Sequence, residues 1–431
     1  MPELSEIFLA AATALEQPTA PAVGVEVAEL LAWLDCPPRD PPDDTARHRA
    51  RLLRAAAQFR RFFRLTASSA PGFACFGGEA DPAALGALQG LPVVGVAGGG
   101  ATPLEAFERC VGEGIERMSC MEIADDLSIT RRPPPVAEAW LAQFPGMAES
   151  QDWLPARRVT GEAAEVLLPV DLCRWRSLAR RQASLPFAAS LGCAAGPTMA
   201  DAMFSGLCEV VERDAAALWW RGGRRGRPLP LEAAATAAEQ LKQFRHQAER
   251  LRRSWLIDIT TDLAIPAVAA ISCDADGGAV AIGTAARPNL ALAAEAATRD
   301  LVLNELAVEL VDAKLAARGE AALNEEDHAH LKRSRGLHVA RHPILHPHGA
   351  PPTQPRDDQP TSGLAGMLDR IAKAGWSVYA VDLTRLHFDV PVVRMLCPGL
   401  ESVPSQVVGT RLRSALDAPD AERGHGEIAL F

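Results

Sequence analysis

Apolar residues recur along this chain at two spacings, and the two together predict a mixture of helices and strands. Spacings of three and four positions are typical of one face of a helix, whereas short continuous apolar runs are typical of buried strands. The helical segments are Leu4–Leu15, Val25–Leu34, Thr45–Leu65, the stretches after Thr102 and Thr198, Leu231–Leu251, Leu290–Leu315 and Gly363–Ala374. The strand segments are the start of 91–100, Val166–Asp171, Leu256–Ile259, Pro266–Cys273, Ala279–Thr284, Ser377–Leu383 and Pro391–Leu396. This order is not a regular βαβ alternation, so we expect an α+β fold.

The character of the chain changes after its first helices. Residues 1–65 are predicted to be a helical N-terminal extension, and residues 66–431 a larger mixed domain. The segment Thr45–Leu65 is rich in arginine. Its basic face is typical of a solvated helix, with docking of an acidic peptide or a phosphate as the functional alternative.

Composition excludes several classes of protein. The 431 residues carry a net charge of −10, which argues against a general nucleic-acid binder. The first residues lack the pattern of a signal peptide, and no apolar run reaches the roughly 18 residues of a membrane span. Nine scattered cysteines without a CxxC pair predict reduced thiols. We therefore expect a cytoplasmic protein that neither binds nucleic acid nor enters a membrane.

Two helices, each behind a glycine-containing segment, carry the strongest chemical signal. Thr102 is predicted to cap the first in a capping box with Glu105, and Thr198 to cap the second. Each helix then contains Glu-x-x-Glu-Arg, first as Glu113–Arg117 and again as Glu209–Arg213. Residues three apart are neighbours on a helix, so each motif places two like charges together.

A divalent cation would explain these paired charges. A single Glu-x-x-Glu is common on a solvated helix face, but two copies in the same context favour a shared site. Carboxylate oxygens select Mg²⁺, and Arg117 and Arg213 are suited to phosphate. The glycine turns at 98–100 and 192–196 would let backbone N–H groups approach an anion. The sequence thus predicts a nucleotide-phosphate site without a Walker A motif, built from pseudo-repeated strand–glycine loop–helix units.

Other conspicuous residues have a structural interpretation beside a functional one. The histidines between 328 and 348 are interpreted as loop residues rather than a zinc site. Cys193 and Cys208 are predicted to be packed rather than reactive. Trp219 and Trp220 are predicted to lie in the core. The basic loop 221–227 is solvated in one interpretation and steers phosphate or an acidic leader peptide in the other.

Three segments resemble the YcaO family in the right order over about residues 90 to 402. They are GGGATPLEAFERCVGEGIER, SLGCAAGPTMADAMFSGLCEVVERDAAALWW and VYAVDLTRLHFDVPVVRMLCPGLES. The ERDA…WW block is the most specific of their features. The resemblance implies a YcaO-like mixed fold around an ATP site, and use of ATP and Mg²⁺ to activate peptide backbone amides.

The resemblance also assigns roles to individual residues. It implies catalytic roles for Glu116, Glu212 and Arg213. The implied metal ligands are Glu113, Glu116, Glu209, Glu212 and Asp300, and the implied nucleotide site consists of these five with Arg117, Ser190, Gly192 and Arg213.

Two positions depart from the family pattern. Leu191 replaces the asparagine of the family's SNG motif, so one polar nucleotide contact is missing or supplied elsewhere. In the third helix, Asp300 and Leu303 replace Glu and Gln. Asp300 is one methylene shorter than glutamate and would reach a metal through water, with Glu305 or Glu309 as substitutes.

The implied activity is that of a cyclodehydratase that forms azoline heterocycles from Cys, Ser or Thr in a ribosomally made precursor peptide. The alternatives are thioamide formation with a sulfide source, and a non-catalytic accessory scaffold. The absence of the proline-rich PxPxP end weakens the azoline assignment relative to the thioamide one. Implied partners are the precursor peptide, a leader-binding protein of E1-like or TfuA-like type, and a second copy in a homodimer.

Overall fold

In a computed structural model of the protein, helices and antiparallel sheets alternate along the chain. The structure describes residues 3–18, 24–86, 90–123, 126, 140–141, 144, 147, 150, 152–181, 190–246, 248, 252–350, 363–402, 405, 407–422 and 428–430. Within them the strands are β1 Arg61–Leu65, β2 Ala74–Ala80, β3 Val94–Gly100, β4 Trp153–Arg158, β5 Ala164–Pro169, β6 Cys193–Ala195, β7 Arg253–Asp258, β8 Ala267–Cys273, β9 Ala281–Ala286, β10 Tyr379–Asp382 and β11 Val392–Leu396. The helices are α1 Leu4–Glu16, α2 Val25–Trp33, α3 Asp44–Ala56, α4 Pro103–Cys120, α5 Val170–Cys173, α6 Met199–Ala216, α7 Leu231–Arg245, α8 Leu290–Arg318, α9 Glu325–Gly336, α10 Gly363–Lys373 and α11 Thr410–Leu416. The predicted α+β class is confirmed.

Three sheets organise the described residues. Their strand orders are β1-β2-β3, β5-β4-β10-β11-β6 and β7-β8-β9, and every pairing is antiparallel. A long helix packs on each sheet: α4 on β2 and β3, α6 on β6 and β11, and α8 on β8 and β9. Each helix follows directly after the strand that it packs on, which is β3, β6 or β9. The pseudo-repeat predicted from two motifs therefore has three copies.

Glycines allow two of these helices to lie against the strand backbone. A Cβ on Gly98 of β3 would lie 2.1 Å from the backbone N of Cys110 in α4. A Cβ on Gly283 of β9 would lie 2.1 Å from the backbone N of Leu301 in α8. No side chain fits at either place, because backbone cannot withdraw as a flexible side chain can. The same close approach in two sheets supports a common unit.

The helix predicted over Thr45–Leu65 is wrong in its second half. The helix α3 ends at Ala56, and 61–65 form β1, which pairs with β2 from Arg61↔Glu79 to Leu65↔Cys75. The cause is tertiary: the ring of Phe62 packs against Phe8 of α1 and Phe107 of α4, with centroids 5.5 and 5.7 Å away. The chain therefore pairs across the predicted boundary at residue 65, and the division into two domains stays a prediction.

Other boundaries also differ from the predicted ones. Gly98–Gly100 are not a turn, since they pair with β2 as the end of β3. Helix α7 ends at Arg245 rather than 251, and helix α8 continues three residues beyond the predicted end to Arg318. Strand β6 lies where a glycine turn is predicted at 192–196, and α5 replaces the end of the strand predicted over Val166–Asp171. Elements without a sequence prediction are β2, β4, α9 and α11. No helix of the described residues has the length and apolar character that a bilayer crossing demands.

Candidate ATP and magnesium site

The two glutamate helices begin as their local sequence predicts. Thr102 Oγ1 accepts the N–H of Glu105, and Thr198 Oγ1 accepts the N–H of Asp201, both at 3.2 Å. The predicted capping box is shifted by one residue, because the Glu105 carboxylate accepts the N–H of Ala101 instead of that of Thr102. Both helices are 18 residues long, and their motifs begin at Glu113 and Glu209, more than two turns after the capping threonine.

The first glutamate of each motif is held in the same way. Glu113 accepts the N–H of Ala97 in β3 at 3.0 Å and a guanidinium N–H of Arg117 at 3.2 Å. In α6, Glu209 accepts the N–H of Gly192 at 2.9 Å. Its other oxygen takes a guanidinium N–H of Arg213, at 3.3 Å. In both copies, a backbone N–H and the arginine one turn later donate to the first carboxylate of the motif and fix its position.

The second glutamate of each motif reaches the next sheet in the chain. Glu116 of α4 accepts the N–H of Ala195 in β6 at 2.9 Å, and Glu212 of α6 accepts the hydroxyl of Thr284 in β9 at 2.7 Å. Burial raises the pKa of Glu116 well above its usual range, and raises the pKa of Glu212 to about 7. For Glu212 the neighbouring Asp300 adds to the effect. Burial thus disfavours the charged form of both carboxyl groups.

Helix α8 carries a third, altered copy of the motif. Asp300 accepts the N–H of Thr284 in β9 at 3.1 Å, as Glu113 and Glu209 accept N–H groups beside their own helices. Three residues later, Leu303 replaces the second glutamate, and its side chain approaches Gly99 of β3. Helix α8 thus contacts β3 just as α4 contacts β6 and α6 contacts β9. The three units close a ring, and its carboxylates lie on adjoining members.

The arginine place of the third copy is taken by Asn304. Its side-chain amide donates to the backbone carbonyls of Ile282 and Asp300, at 3.0 and 3.1 Å. The proposed substitutes for Asp300 are engaged elsewhere. Glu305 is buried in an ion pair with Arg245 at 2.8 Å, and Glu309 accepts N–H groups of the 68–69 loop. Of Asp300, Glu305 and Glu309, the structure therefore places only Asp300 beside the other carboxylates of the ring.

The remaining predicted nucleotide residues join the ring at the loop before β6. Ser190 Oγ accepts a guanidinium N–H of Arg117 at 2.9 Å, so the loop is tied to α4. Gly192 donates its N–H to Glu209. Leu191 is 5% exposed and packs with the α6 core, where it borders a cavity of about 540 Å³. Leu191 therefore supplies no polar contact where the family pattern has asparagine.

The arrangement fits Mg²⁺ bound partly by phosphate. One oxygen each of Glu116, Glu212 and Asp300 accepts no hydrogen bond from the residues that the structure describes. A cation would stabilise the ionised form that burial disfavours. Within the described ranges, no three Asp, Glu, His or Cys side chains lie close enough to surround one ion. The protein would therefore supply a few ligands and leave the rest to phosphate and water, as is usual for Mg²⁺.

The remaining conspicuous residues have structural contacts. Trp219 and Trp220 are 1% and 2% exposed, and both lie in the core. All nine cysteines are buried as free thiols, and burial raises the pKa of Cys208 to about 11, which makes it a poor nucleophile. His346 stacks on Trp255 at 5.4 Å. In the basic loop, Arg225 pairs with Glu422 at 2.9 Å.

Sequence reasoning misses Thr284. It is the residue of β9 that contacts both Glu212 and Asp300. Its only sequence signal is its place after a glycine in the strand that precedes the third helix, which is informative only once three copies are recognised.

The chain matches a known family and a curated protein. The model of a family described as "YcaO cyclodehydratase, ATP- and Mg²⁺-binding" matches residues 97–401. A curated protein of Methanothermobacter thermautotrophicus, itself uncharacterized, is 28% identical over 346 residues, which are 74% of this chain and 85% of that protein.

Solved structures share the fold at low identity. A YcaO protein from Methanopyrus kandleri with bound AMPPCP and Mg²⁺ has a TM-score of 0.58 and 21% identity, over 87% of this chain and 91% of that one. A heterocyclase in complex with substrate and cofactor has a TM-score of 0.63 and 21% identity, over 80% of this chain. This chain spans 50% of that heterocyclase's length. The Escherichia coli microcin synthetase McbBCD complex matches with a TM-score of 0.56 and 12% identity, over 76% of this chain and 85% of that one.

Proposed function

Because this chain belongs to the YcaO family, whose members bind ATP and Mg²⁺, we propose that it activates backbone amides of a ribosomally made precursor peptide and forms azoline rings from Cys, Ser or Thr. The observation that carries this proposal is the repeated carboxylate arrangement on α4 and α6. In each copy the first glutamate is paired with arginine, and the second is half-buried at the contact with the next sheet. Such a site suits phosphoryl transfer, where catalysis depends on positioning and charge neutralisation rather than on a protein nucleophile.

In the proposed reaction, the side-chain thiol or hydroxyl of the peptide loses its proton and attacks the preceding amide carbonyl, and the resulting oxyanion takes the γ-phosphoryl group of ATP, with ADP as the leaving group. Loss of phosphate from carbon and of the proton from the amide nitrogen then leaves the C=N bond of the ring. Mg²⁺ would neutralise charge on the phosphates. We assign the ligation of magnesium ions to Glu116, Glu212 and Asp300, each of which has one oxygen without a hydrogen bond from the described residues, with Glu113 and Glu209 as further ligands. No single ion would take more than two of these side chains, because no three of them lie close enough to surround one ion. Arg213 and Arg117 would donate to phosphate oxygens from beside these carboxylates.

The proposed partners of the protein also follow from its membership of the family. A leader-binding partner of E1-like or TfuA-like type and a homodimer are the expected associations. The nine free, buried thiols fit a reducing compartment such as the cytoplasm.

The products of a precursor peptide distinguish the proposal from its alternatives. We would incubate the protein with Mg²⁺, ATP, and the peptide and partner encoded beside its gene, and record the peptide's mass. Loss of one water per ring supports azoline formation, whereas exchange of oxygen for sulfur in the presence of sulfide indicates a thioamide.

The accessory-scaffold alternative predicts no ATP turnover stimulated by the peptide. Turnover that is lost in Glu209→Gln would exclude it. Absence of turnover in the wild-type protein with peptide and partner would instead overturn the enzymatic proposal.

A further inference from the structure

Thr284 lies where carboxylates from two helices meet. Its hydroxyl donates to Glu212 of α6 at 2.7 Å, and its backbone N–H donates to Asp300 of α8 at 3.1 Å. The residue is 3% exposed in the middle of β9. One residue thus contacts one carboxylate with its side chain and the other with its backbone.

We propose that Thr284 is a positioning residue that holds Glu212 and Asp300 in the relative placement required to bind a single Mg²⁺. The inference rests on the proposed function, because it concerns the metal of that site. Each carboxylate uses one oxygen to accept from Thr284, which orients its second oxygen, unpartnered among the described residues, for an ion. Residues that fix metal ligands by hydrogen bonds affect metal affinity without touching the metal.

The chemistry of threonine suits this role. Two carboxylates on separate helices repel each other when the ion is absent, so their placement needs a fixed donor between them. A β-branched side chain in a strand has restricted rotation about χ1, which keeps the hydroxyl directed at Glu212. At the equivalent contact of α4, Ala195 has only its backbone N–H to offer Glu116. Of the Glu116 contact and the Glu212 contact, only the Glu212 contact therefore has a side-chain donor.

Substitutions can separate this role from a contribution to packing. Thr284→Val keeps the volume and the N–H bond to Asp300 but removes the hydroxyl, whereas Thr284→Ser keeps the hydroxyl. Thr298→Val is the matched control. Thr298 is a threonine of α8 with 2% exposure, and its hydroxyl donates only to the carbonyl of Ala294 in its own helix, at 2.8 Å.

In the experiment, each variant is mixed with the ATP analogue AMPPCP and titrated with Mg²⁺, and calorimetry records the binding. Nucleotide binding without Mg²⁺ and thermal unfolding are measured for the same variants as controls. Loss of a hydrogen bond to a charged group predicts that Thr284→Val needs about tenfold more Mg²⁺ for half-saturation, while Mg²⁺-free nucleotide binding is unchanged. Thr284→Ser and Thr298→Val should stay within about twofold of wild type.

Two results would overturn the inference about Thr284 and leave the proposed function untouched. They are Mg²⁺ affinity of Thr284→Val equal to wild type, and a loss in Thr298→Val as large as that in Thr284→Val. If the wild-type protein shows no Mg²⁺-dependent nucleotide binding, or if Glu212→Gln retains it, the proposed site itself fails and the inference with it. The two kinds of failure are therefore distinguishable.

Discussion

The four glutamates of the repeated motif have different chemical environments, although their sequence context is the same. Glu113 and Glu209 each accept hydrogen bonds from an arginine and from a backbone N–H. Glu116 and Glu212 have one hydrogen bond each among the described residues, and burial raises the pKa of both. Each helix thus pairs one carboxylate with arginine and leaves the other without an ion-pair partner among the described residues.

The raised pKa of Glu212 predicts a pH dependence of stability. Its folded-state pKa of about 7 lies above the usual 4.5, so folded protein retains a proton that unfolded protein releases between these values. The stability that Glu212 contributes to the metal-free protein should therefore fall as pH rises through this window, by about 3 kcal/mol, and level off above it. Glu212→Gln should lose this part of the fall and keep the part due to Glu116 and Asp300, whose pKa values burial also raises, as measured by urea unfolding at several pH values without Mg²⁺. An unchanged pH profile in the variant would show that Glu212 titrates normally.

At the scale of elements, local chemistry explains where the helices begin, and tertiary contacts explain where the elements predicted from the sequence differ from the structure. Thr102 and Thr198 are predictable as caps because a hydroxyl before a helix satisfies a free N–H. The strand at 61–65 escapes prediction because its residues continue the helical pattern, and only pairing with β2 gives it an extended backbone. The three-residue strand β6 has no periodicity that a sequence pattern could detect.

Close packing of α4 on β3 predicts that a single methyl group is damaging. Gly98→Ala would place a Cβ 2.1 Å from the backbone N of Cys110, so helix and strand must separate. We expect a loss of about 2–3 kcal/mol in the free energy of unfolding, measured with urea.

Gly95→Ala in the same strand is the control, because a Cβ added there would meet no atom within 4 Å. Its effect should stay within about 0.5 kcal/mol. Equal losses at the two positions would mean that strand propensity, and not helix contact, decides the cost.

At the scale of the molecule, the segment after β11 is joined to the site helix by buried charge. Asp214 follows the second Glu-Arg motif and is 0% exposed. It pairs with Arg411 of α11 at 2.9 Å, and Arg411 also pairs with Asp262. Further along, Trp220 donates to the carbonyl of Ile428. The C-terminal segment is thus part of the framework that holds α6.

Substitution of Arg411 should therefore destabilise the whole fold and not only α11. Arg411→Ala leaves Asp214 buried without its ion-pair partner, and we expect a loss of about 3–5 kcal/mol in the free energy of unfolding. Arg413→Ala is the control on the same helix, since Arg413 is exposed, and should change stability by less than about 0.5 kcal/mol. If the two variants melt alike, the Asp214 pair contributes nothing to the framework.

The chain's own sequence was sufficient for the α+β class, the two helix caps and the paired carboxylates, because each depends on residues within a few positions of one another. The tertiary structure decided how these parts meet. Glu116 contacts Ala195, 79 positions away, and Glu212 contacts Thr284, 72 positions away, so no local pattern contains either pair. The resemblance to the family pointed to Asp300 on the third helix, but its equivalence to the other two helices was recognisable only in space, since Leu303 and Asn304 replace the charged residues that mark the motif while α8 keeps its contact with β3. Periodicity and capping are properties of neighbouring residues, whereas this site is a property of three helices closing on one another's strands.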